Sequence, residues 1–557
     1  MIRKLCLPLL LVAAFASTSA DAGETLVDHV NGYTLDGSGK LQRFEALLID
    51  DGKVVATGSH ELLSTRAPKA TVIDGKGRTL LPGLIDAHGH VMELGATNRQ
   101  ADLTGTTSLG AALAKVASFA AAHRDDAWIL GSGWNQVTWR LGRFPTASEL
   151  DALVADRPAW LTRVDGHAGW ANSAAMALAG IDKDTKDPSG GRIERDAEGN
   201  PSGVFVDAAM DLVTRRIPPA TQQQLAARLD DALATMASVG LTGVGDAGID
   251  QTTFALYKRY ADEGKLSTRI YAMIGGTGAD FDAISPGGPL IGYGHDFLTV
   301  RSVKLYADGA LGSRGAAMLA PYADDAGNSG LLFNTPAELT AMIGKALEGG
   351  YQVAVHAIGD KANREVLDAF EAAYKTHGGR QLRNRIEHAQ VVSLTDIPRF
   401  VSLDLIASMQ PTHATSDMNM AEDRVGPERI KGAYAWRRFL AQGTRIAAGS
   451  DFPVESANPF FGLHAAVTRQ DHQGQPPGGW YPDQAMTVTE ALRAFTLDAA
   501  YAEHAEKTLG TLEPGKWADF ILVDQDIFAI DPAKIWSTQV LETWVGGKRV
   551  YMRTQAD

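Results

Sequence analysis

From about residue 84 to residue 449 the chain repeats one unit: an amphipathic helix, a glycine that ends it, and a short β-rich run. Leu225, Leu229, Leu233, Met236 and Val239 fall on one helical face, Gly240 stops that helix, and residues 241–244 follow as a strand. Thr335-Pro336-Ala337-Glu338 opens another helix as a capping box, with proline where its missing N–H costs nothing. That helix stops at Gly349-Gly350 and feeds residues 351–356. Counted in this way, the candidate strands are 84–88, 241–244, 268–274, 298–306, 352–356, 384–388, 405–409 and 445–449. A helix between successive strands returns the chain to the same end of the sheet, so the strands run parallel. Eight such units are the arithmetic of an α/β fold, a (β/α)8 TIM barrel, with an open doubly wound sheet as the competing arrangement. One gap breaks the rhythm. Residues 90–241 are too many for a single crossover and predict an insertion after the first barrel strand, at about 128–220, rich in Trp, Gly and Asp.

Residues 83–504 are therefore read as the barrel with its insertion. Residues 24–82 instead alternate short apolar runs with turns such as Asp50-Asp51-Gly52-Lys53, and the same hairpin pattern returns near Gly546-Gly547. Residues 23–82 and 505–557 are expected to pair into one composite β-sandwich. The first 22 residues differ again: Arg3 and Lys4 precede an apolar run from Leu5 to Phe15, and Ala20-Asp21-Ala22 has the small residues of a cleavage site. They read as a signal peptide cleaved near Ala22, which predicts a periplasmic or secreted protein. The only cysteine, Cys6, lies within it, so the mature chain has no thiol for a disulfide, a nucleophile or a zinc ligand. Fifty-two basic against 66 acidic residues leave a net charge of −14, a balance unsuited to nucleic acid. Beyond the leader no run of about 18 apolar residues occurs, so no membrane span is expected.

Active sites in such barrels form where the strands end, and the residues there are of one kind. His88 and His90 lie two apart on an extended strand, so both imidazoles can face one cation. His356 and His388 end the fifth and sixth strands, Lys304 sits in the fourth, and Asp451 follows the eighth. Each alone has an ordinary explanation: a structural histidine, a buried lysine, a helix-capping aspartate. Together they are a set of hard-to-borderline ligands suited to zinc or a similar divalent ion.

These residues sit within motifs. They are Leu81-Pro82-Gly83-Leu84-Ile85-Asp86-Ala87-His88-Gly89-His90, Arg163-Val164-Asp165-Gly166-His167, the run from Val303-Lys304-Leu305-Tyr306 to Gly312-Ser313-Arg314, Arg385-Ile386-Glu387-His388-Ala389-Gln390, Ala448-Gly449-Ser450-Asp451-Phe452-Pro453, and Gly510-Thr511-Leu512-Glu513-Pro514-Gly515-Lys516-Trp517-Ala518-Asp519. In this order the chain resembles the amidohydrolase superfamily, and within it the family-3 metal-dependent hydrolases that include N-substituted formamide deformylases. The resemblance implies two divalent ions per chain, zinc the first candidate, held by His88, His90, Lys304, His356, His388 and Asp451. It also implies that Lys304 is carboxylated, its carbamate bridging the metals.

The reaction implied is hydrolysis of an amide-type C–N bond in a small molecule by a metal-activated hydroxide. Asp451 serves as the catalytic acid–base group. His167, Arg314 and His413 are candidates for substrate contact, with Trp134 and Asn135 at the pocket mouth. The alternative enzyme is a mononuclear deaminase or cyclic-amide hydrolase of the same superfamily. His356-Ala357-Ile358-Gly359-Asp360 is similar to a deaminase motif, but Lys304 argues against it and Asp360 also suits a helix N-cap. The remaining class is a metal-carrying regulatory protein without catalysis. A homo-oligomer is compatible with all of this and specified by none of it.

Overall fold

The barrel strands of the computed structural model are β1 (Leu84–Gly89), β2 (Leu241–Ile249), β3 (Arg269–Gly275), β4 (Leu298–Tyr306), β5 (Gln352–Ala357), β6 (Arg385–His388), β7 (Ile406–Met409) and β8 (Ile446–Ala448). The structure describes residues 23–136, 138–163, 168–188 and 191–554, so the expected leader lies outside the described residues. The strands are all parallel and lie side by side in chain order from β1 to β8. All six residues of β1 are buried, as befits a parallel strand covered on both faces. β8 has only three residues and forms no ladder with β1; the residues just beyond it do the joining. Asp451 N–H donates to the His88 carbonyl at 2.7 Å and His90 N–H donates to the Phe452 carbonyl at 2.8 Å. The result is a nearly closed, TIM-barrel-like α/β fold.

The helix Gln222–Ser238 buries Leu229, Leu233 and Met236, as its periodicity requires. The Thr335–Glu338 capping box forms at the start of the helix Pro336–Glu348. Between β1 and β2 lies a separate six-stranded sheet, ordered Gly191–Arg195, Pro201–Asp207, Ala168–Ala171, Ala159–Arg163, Ile129–Trp134 and Ala101–Asp102. It begins well ahead of residue 128. The helix Leu109–Ala122 has the periodicity of a barrel helix, but its Ala112 and Val116 pack with Leu103, Ile129 and Leu161 of the insertion.

Two further sheets occupy the chain ends. One, of six strands, pairs Phe520–Val523 antiparallel with Thr79–Pro82, joining the two termini. The other, of four strands, is ordered Lys53–Gly58, Ala46–Asp50, Thr25–Asp28 and Thr71–Asp74. Val27, Leu47 and Ile49 of the smaller sheet share an apolar cluster with Leu80, Phe520, Leu522 and Trp544 of the larger. Asp519 holds Arg269, the first residue of β3, through two hydrogen bonds of 2.7 and 3.1 Å. The anchor is at the start of the strand, so the strand ends stay free for chemistry. Among the described residues no helix is long and apolar enough to cross a membrane.

Glu503, which follows the helix Leu497–Ala502, is 5% exposed, and its Oε1 has no hydrogen-bond partner. Burial pushes its carboxyl up to about 8, with Arg385 pulling the other way. A carboxyl raised on folding favours the folded chain at low pH, and that contribution is lost as pH rises toward 8. Each pK unit is worth about 1.4 kcal/mol, so the penalty at pH 9 is on the order of a few kcal/mol. Glu503→Gln, neutral at every pH, is expected to melt above the unaltered chain at pH 9 and level with it near pH 5. Equal melting temperatures at pH 9 would refute the assignment.

Candidate metal centre

The strand end His88-Gly89-His90 and the turn Gly449-Ser450-Asp451 are locked together by the buried carboxylate of Asp86. It accepts the His88 N–H at 3.1 Å, the Ser450 N–H at 3.0 Å and the Ser450 hydroxyl at 2.6 Å. Both glycines are required by close approach. A Cβ on Gly89 would lie 2.5 Å from the Phe452 ring, and one on Gly449 would lie 2.5 Å from Asp86 Oδ1. Asp451 (φ 63°) and His388 (φ 71°) are in left-handed backbone, which costs about 1–3 kcal/mol at a non-glycine residue. Such strain collects where a side chain must be aimed.

These two side chains are aimed at one cluster. Asp451 Oδ1 lies 3.0 Å from His90 Nε2 and 3.5 Å from His88 Nε2, while Oδ2 lies 3.7 Å from His413 Nε2. Lys304 Nζ lies 3.3 Å from His88 Nε2 and 4.4 Å from the centre of the Tyr306 ring. The His356 and His388 rings meet edge to face at 4.6 Å, and His413 stacks on His388 at 5.8 Å. Two groups of donor atoms each lie within 4.8 Å of one another, His88–His90–Asp451 and His388–His413–Asp451, with Asp451 common to both.

Burial and the nearby Lys304 lower His88 to about 4 and His356 to about 3, and burial takes His388 well below its ordinary value. These imidazoles are neutral at pH 7. Burial opposes the charged form of His90 too, but the Asp451 carboxylate outweighs it and raises this ring. Burial also works against the Asp451 carboxylate, yet the His90 hydrogen bond and the histidines His88, His388 and His413 beside it hold it far below the usual carboxylate range. Lys304, 1% exposed, is pulled down by burial to about 8.

A set of carboxylates and amides supports the cluster. Glu387 Oε2 lies 2.5 Å from His88 Nδ1, and Arg385 grips both oxygens of Glu387 at 2.7 and 2.8 Å. Gln410 Oε1 lies 2.8 Å from His388 Nδ1. Asp308 accepts the backbone N–H groups of Ala317, Ile358 and Gly359 at 2.8–3.0 Å and lies 3.6 Å from His356 Nε2. Glu387 and Asp308 lie inside sequence motifs already singled out. Alternation along β6 puts Arg385 and Glu387 on one face, the signal from which their pairing follows.

The cluster thus gathers His88, His90, Lys304, His356, His388 and Asp451, and it adds His413, expected only to touch substrate. His167 lies outside the described residues. Arg314 donates to both oxygens of Asp324 at 3.2 and 2.8 Å, and Arg424 shares that carboxylate. Trp134 does not line a pocket mouth. It is fully buried among Trp139, Phe144 and Trp170, with its indole N–H on the Leu161 carbonyl, because the bulge at Gly133 breaks the strand's alternation and turns it onto the face of Ile129 in the core of the insertion. Asn135, half-buried, accepts the Thr138 N–H at 3.3 Å. Asp360 is not an N-cap: Gly359 holds that position, and the Asp360 carboxylate accepts the Leu319 N–H at 2.8 Å.

The donor set fits a metal. His356 Nε2 and His413 Nε2 are buried without a hydrogen-bond partner, an arrangement protein atoms alone rarely leave. The amidohydrolase family model matches residues 71–551. The chain belongs to the amidohydrolase family. Its sequence is 33% identical to the Bacillus subtilis protein YtcJ, over 92% of this chain and 97% of that one. It is 29% identical to the N-substituted formamide deformylase of Arthrobacter pascens, over 92% and 95%. Among solved structures it is similar to an uncharacterized metal-dependent hydrolase from Pyrococcus horikoshii, with a TM-score of 0.77 and 28% identity over 92% of this chain and 99% of that one. Membership makes this chain a metal-dependent hydrolase.

Proposed function

We propose that this hydrolase cleaves an amide-type C–N bond of a small molecule, with His88, His90, Lys304, His356, His388 and Asp451 holding two divalent ions, zinc first among the candidates. The position of Asp451 carries the reading, since its two oxygens face different histidines of one buried cluster. Neutral imidazoles offer lone pairs, and imidazole with carboxylate suits zinc-class ions. Divalent ions bound there supply Lewis acidity, which polarises an amide carbonyl and lowers the pKa of water. Asp451, anionic at neutral pH, accepts the water proton and passes it to the leaving nitrogen. Glu387 holds the proton on His88 Nδ1, so that Nε2 presents its lone pair to the cluster.

Lys304 is read as carboxylated. With its Nζ near 8, roughly a tenth of the lysine is free amine at pH 7. That nitrogen attacks the carbon of carbon dioxide, a C–O π pair moves onto oxygen, and one N–H proton is lost to solvent. The product is an anionic carbamate with two donor oxygens. Residues 23–82 and 505–557 are read as one composite sandwich, supported by the pairing of Phe520–Val523 with Thr79–Pro82. Export is read from residues 1–22; the mature protein is expected to begin at Asp21 or Gly23, and an intact mass retaining Met1 would overturn this.

The Arthrobacter relative makes N-substituted formamides the first substrates to try. Turnover is expected to vanish on chelation and return with zinc, cobalt or manganese, with two ions counted per active chain. Full activity after verified metal removal would sink the mechanism. One ion per active chain would point to the mononuclear alternative.

A further inference from the structure

We propose a second, separate divalent-metal site at the end of an inner strand of the four-stranded end sheet, built from Asp28, His29 and His60. Three chain segments meet there. Asp28 ends the strand Thr25–Asp28, His29 turns away from it with φ 52°, and His60 opens the helix His60–Arg66. His60 Nδ1 lies 2.7 Å from Asp28 Oδ2, and His29 Nε2 lies 4.0 Å from the same oxygen. The two rings stack 4.7 Å apart at 25°, and the three donor atoms all fall within 4.8 Å of one another. Donors about 2.0–2.2 Å from a tetrahedral zinc are separated by roughly 3.3–3.6 Å, between the two distances observed. The two imidazoles are 57% and 47% exposed, which leaves them room to rotate toward that geometry.

The supporting groups have the form expected around a metal. The other oxygen of Asp28 accepts the His29 N–H at 2.9 Å, fixing a carboxylate whose side chain is only 4% exposed. On the far side of the His29 ring, Nδ1 lies 3.5 Å from Asp74 Oδ1, a carboxylate placed to orient a ligating imidazole. Asp74 is the register partner of Asp28 on the parallel strand Thr71–Asp74. The pair brings two negative charges to one end of the sheet, which a divalent cation neutralises. An open cleft of about 670 Å³, lined in part by His29, Glu45, Ser59 and His60, leaves room for water as a further ligand. Two imidazoles and a carboxylate select zinc, cobalt, nickel or copper over calcium or magnesium. A bound ion would clamp the helix His60–Arg66 to its sheet.

The test is zinc binding by the full-length protein, counted per chain and followed by melting temperature. His29→Ala and His60→Ala are each expected to lose one zinc equivalent and its stabilisation, with hydrolysis within twofold of the unaltered protein. Asp74→Asn should weaken this one equivalent by about 10–100-fold. A variant with His88→Ala and Asp451→Asn should keep it, which separates failure of this site from failure of the barrel site. If His29→Ala and His60→Ala both bind as much zinc, as tightly, as the unaltered chain, the site does not exist.

Discussion

Asp451→Asn is expected to lower kcat by about 10³–10⁴-fold with little change in the circular-dichroism spectrum. A general base of this kind contributes about 10²–10⁴ to rate, and the substitution also removes the negative charge shared by two groups of histidines. The amide keeps the shape of the carboxylate and replaces one acceptor oxygen with a donor. It can take no proton from water and sets an N–H against an imidazole nitrogen. Because the carboxylate is held far below its ordinary range, the unaltered enzyme keeps Asp451 ionised through the acid limb of any practical assay. A fall in rate between pH 5 and 7 therefore belongs to another group. If Asp451→Asn turned over within tenfold of the unaltered protein, Asp451 would not be the proton carrier.

Lys304→Ala is expected to lose one of two metal ions and about a thousandfold in rate, the scale of removing a buried electrostatic stabiliser. An ammonium at this position would set a positive charge beside two cations in a site from which water is largely excluded. A neutral amine offers one lone pair and cannot bridge. A carbamate on Lys304 would remove the charge and supply two oxygens. Small carboxylic acids at high concentration are expected to restore part of the rate to Lys304→Ala and none to His356→Ala, because only the first variant lacks a carboxylate-shaped bridge. Two ions per chain and near-native turnover in Lys304→Ala would make Lys304 an interior lysine resting on Tyr306.

The barrel strands were readable because each is a short buried run between helices whose apolar periodicity is explicit in the sequence. β1, β2, β4 and β5 start at the expected residues, and the other four begin one residue later. The start of the insertion was not readable. The helix Leu109–Ala122 has the same local pattern whether it covers a barrel or another sheet, and only its contacts with Leu103 and Ile129 tell the two apart. Trp134 failed as a pocket residue for a related reason. An aromatic residue near a glycine-rich turn reads alike at a mouth and in a core until its neighbours, here Trp139 and Trp170, are known.

Residue chemistry and spacing along the chain were enough to predict a TIM-barrel-like fold and to single out His88, His90, Lys304, His356, His388 and Asp451 at its strand ends as a set that the fold brings together. Those inferences rest on periods of 3.6 and 2 residues and on the fixed relation between strand ends and sites, all local properties. The sharing of Asp451 between two groups of histidines, the entry of His413 into one of them, and the supports Glu387, Gln410 and Asp308 came from folding. Each joins residues on different strands or loops, with Glu387 and His88 299 positions apart, and no pattern along one strand encodes the distance between two. The same holds for Asp28, His29 and His60, where a strand end, a turn and a helix start become neighbours only when the sheet forms.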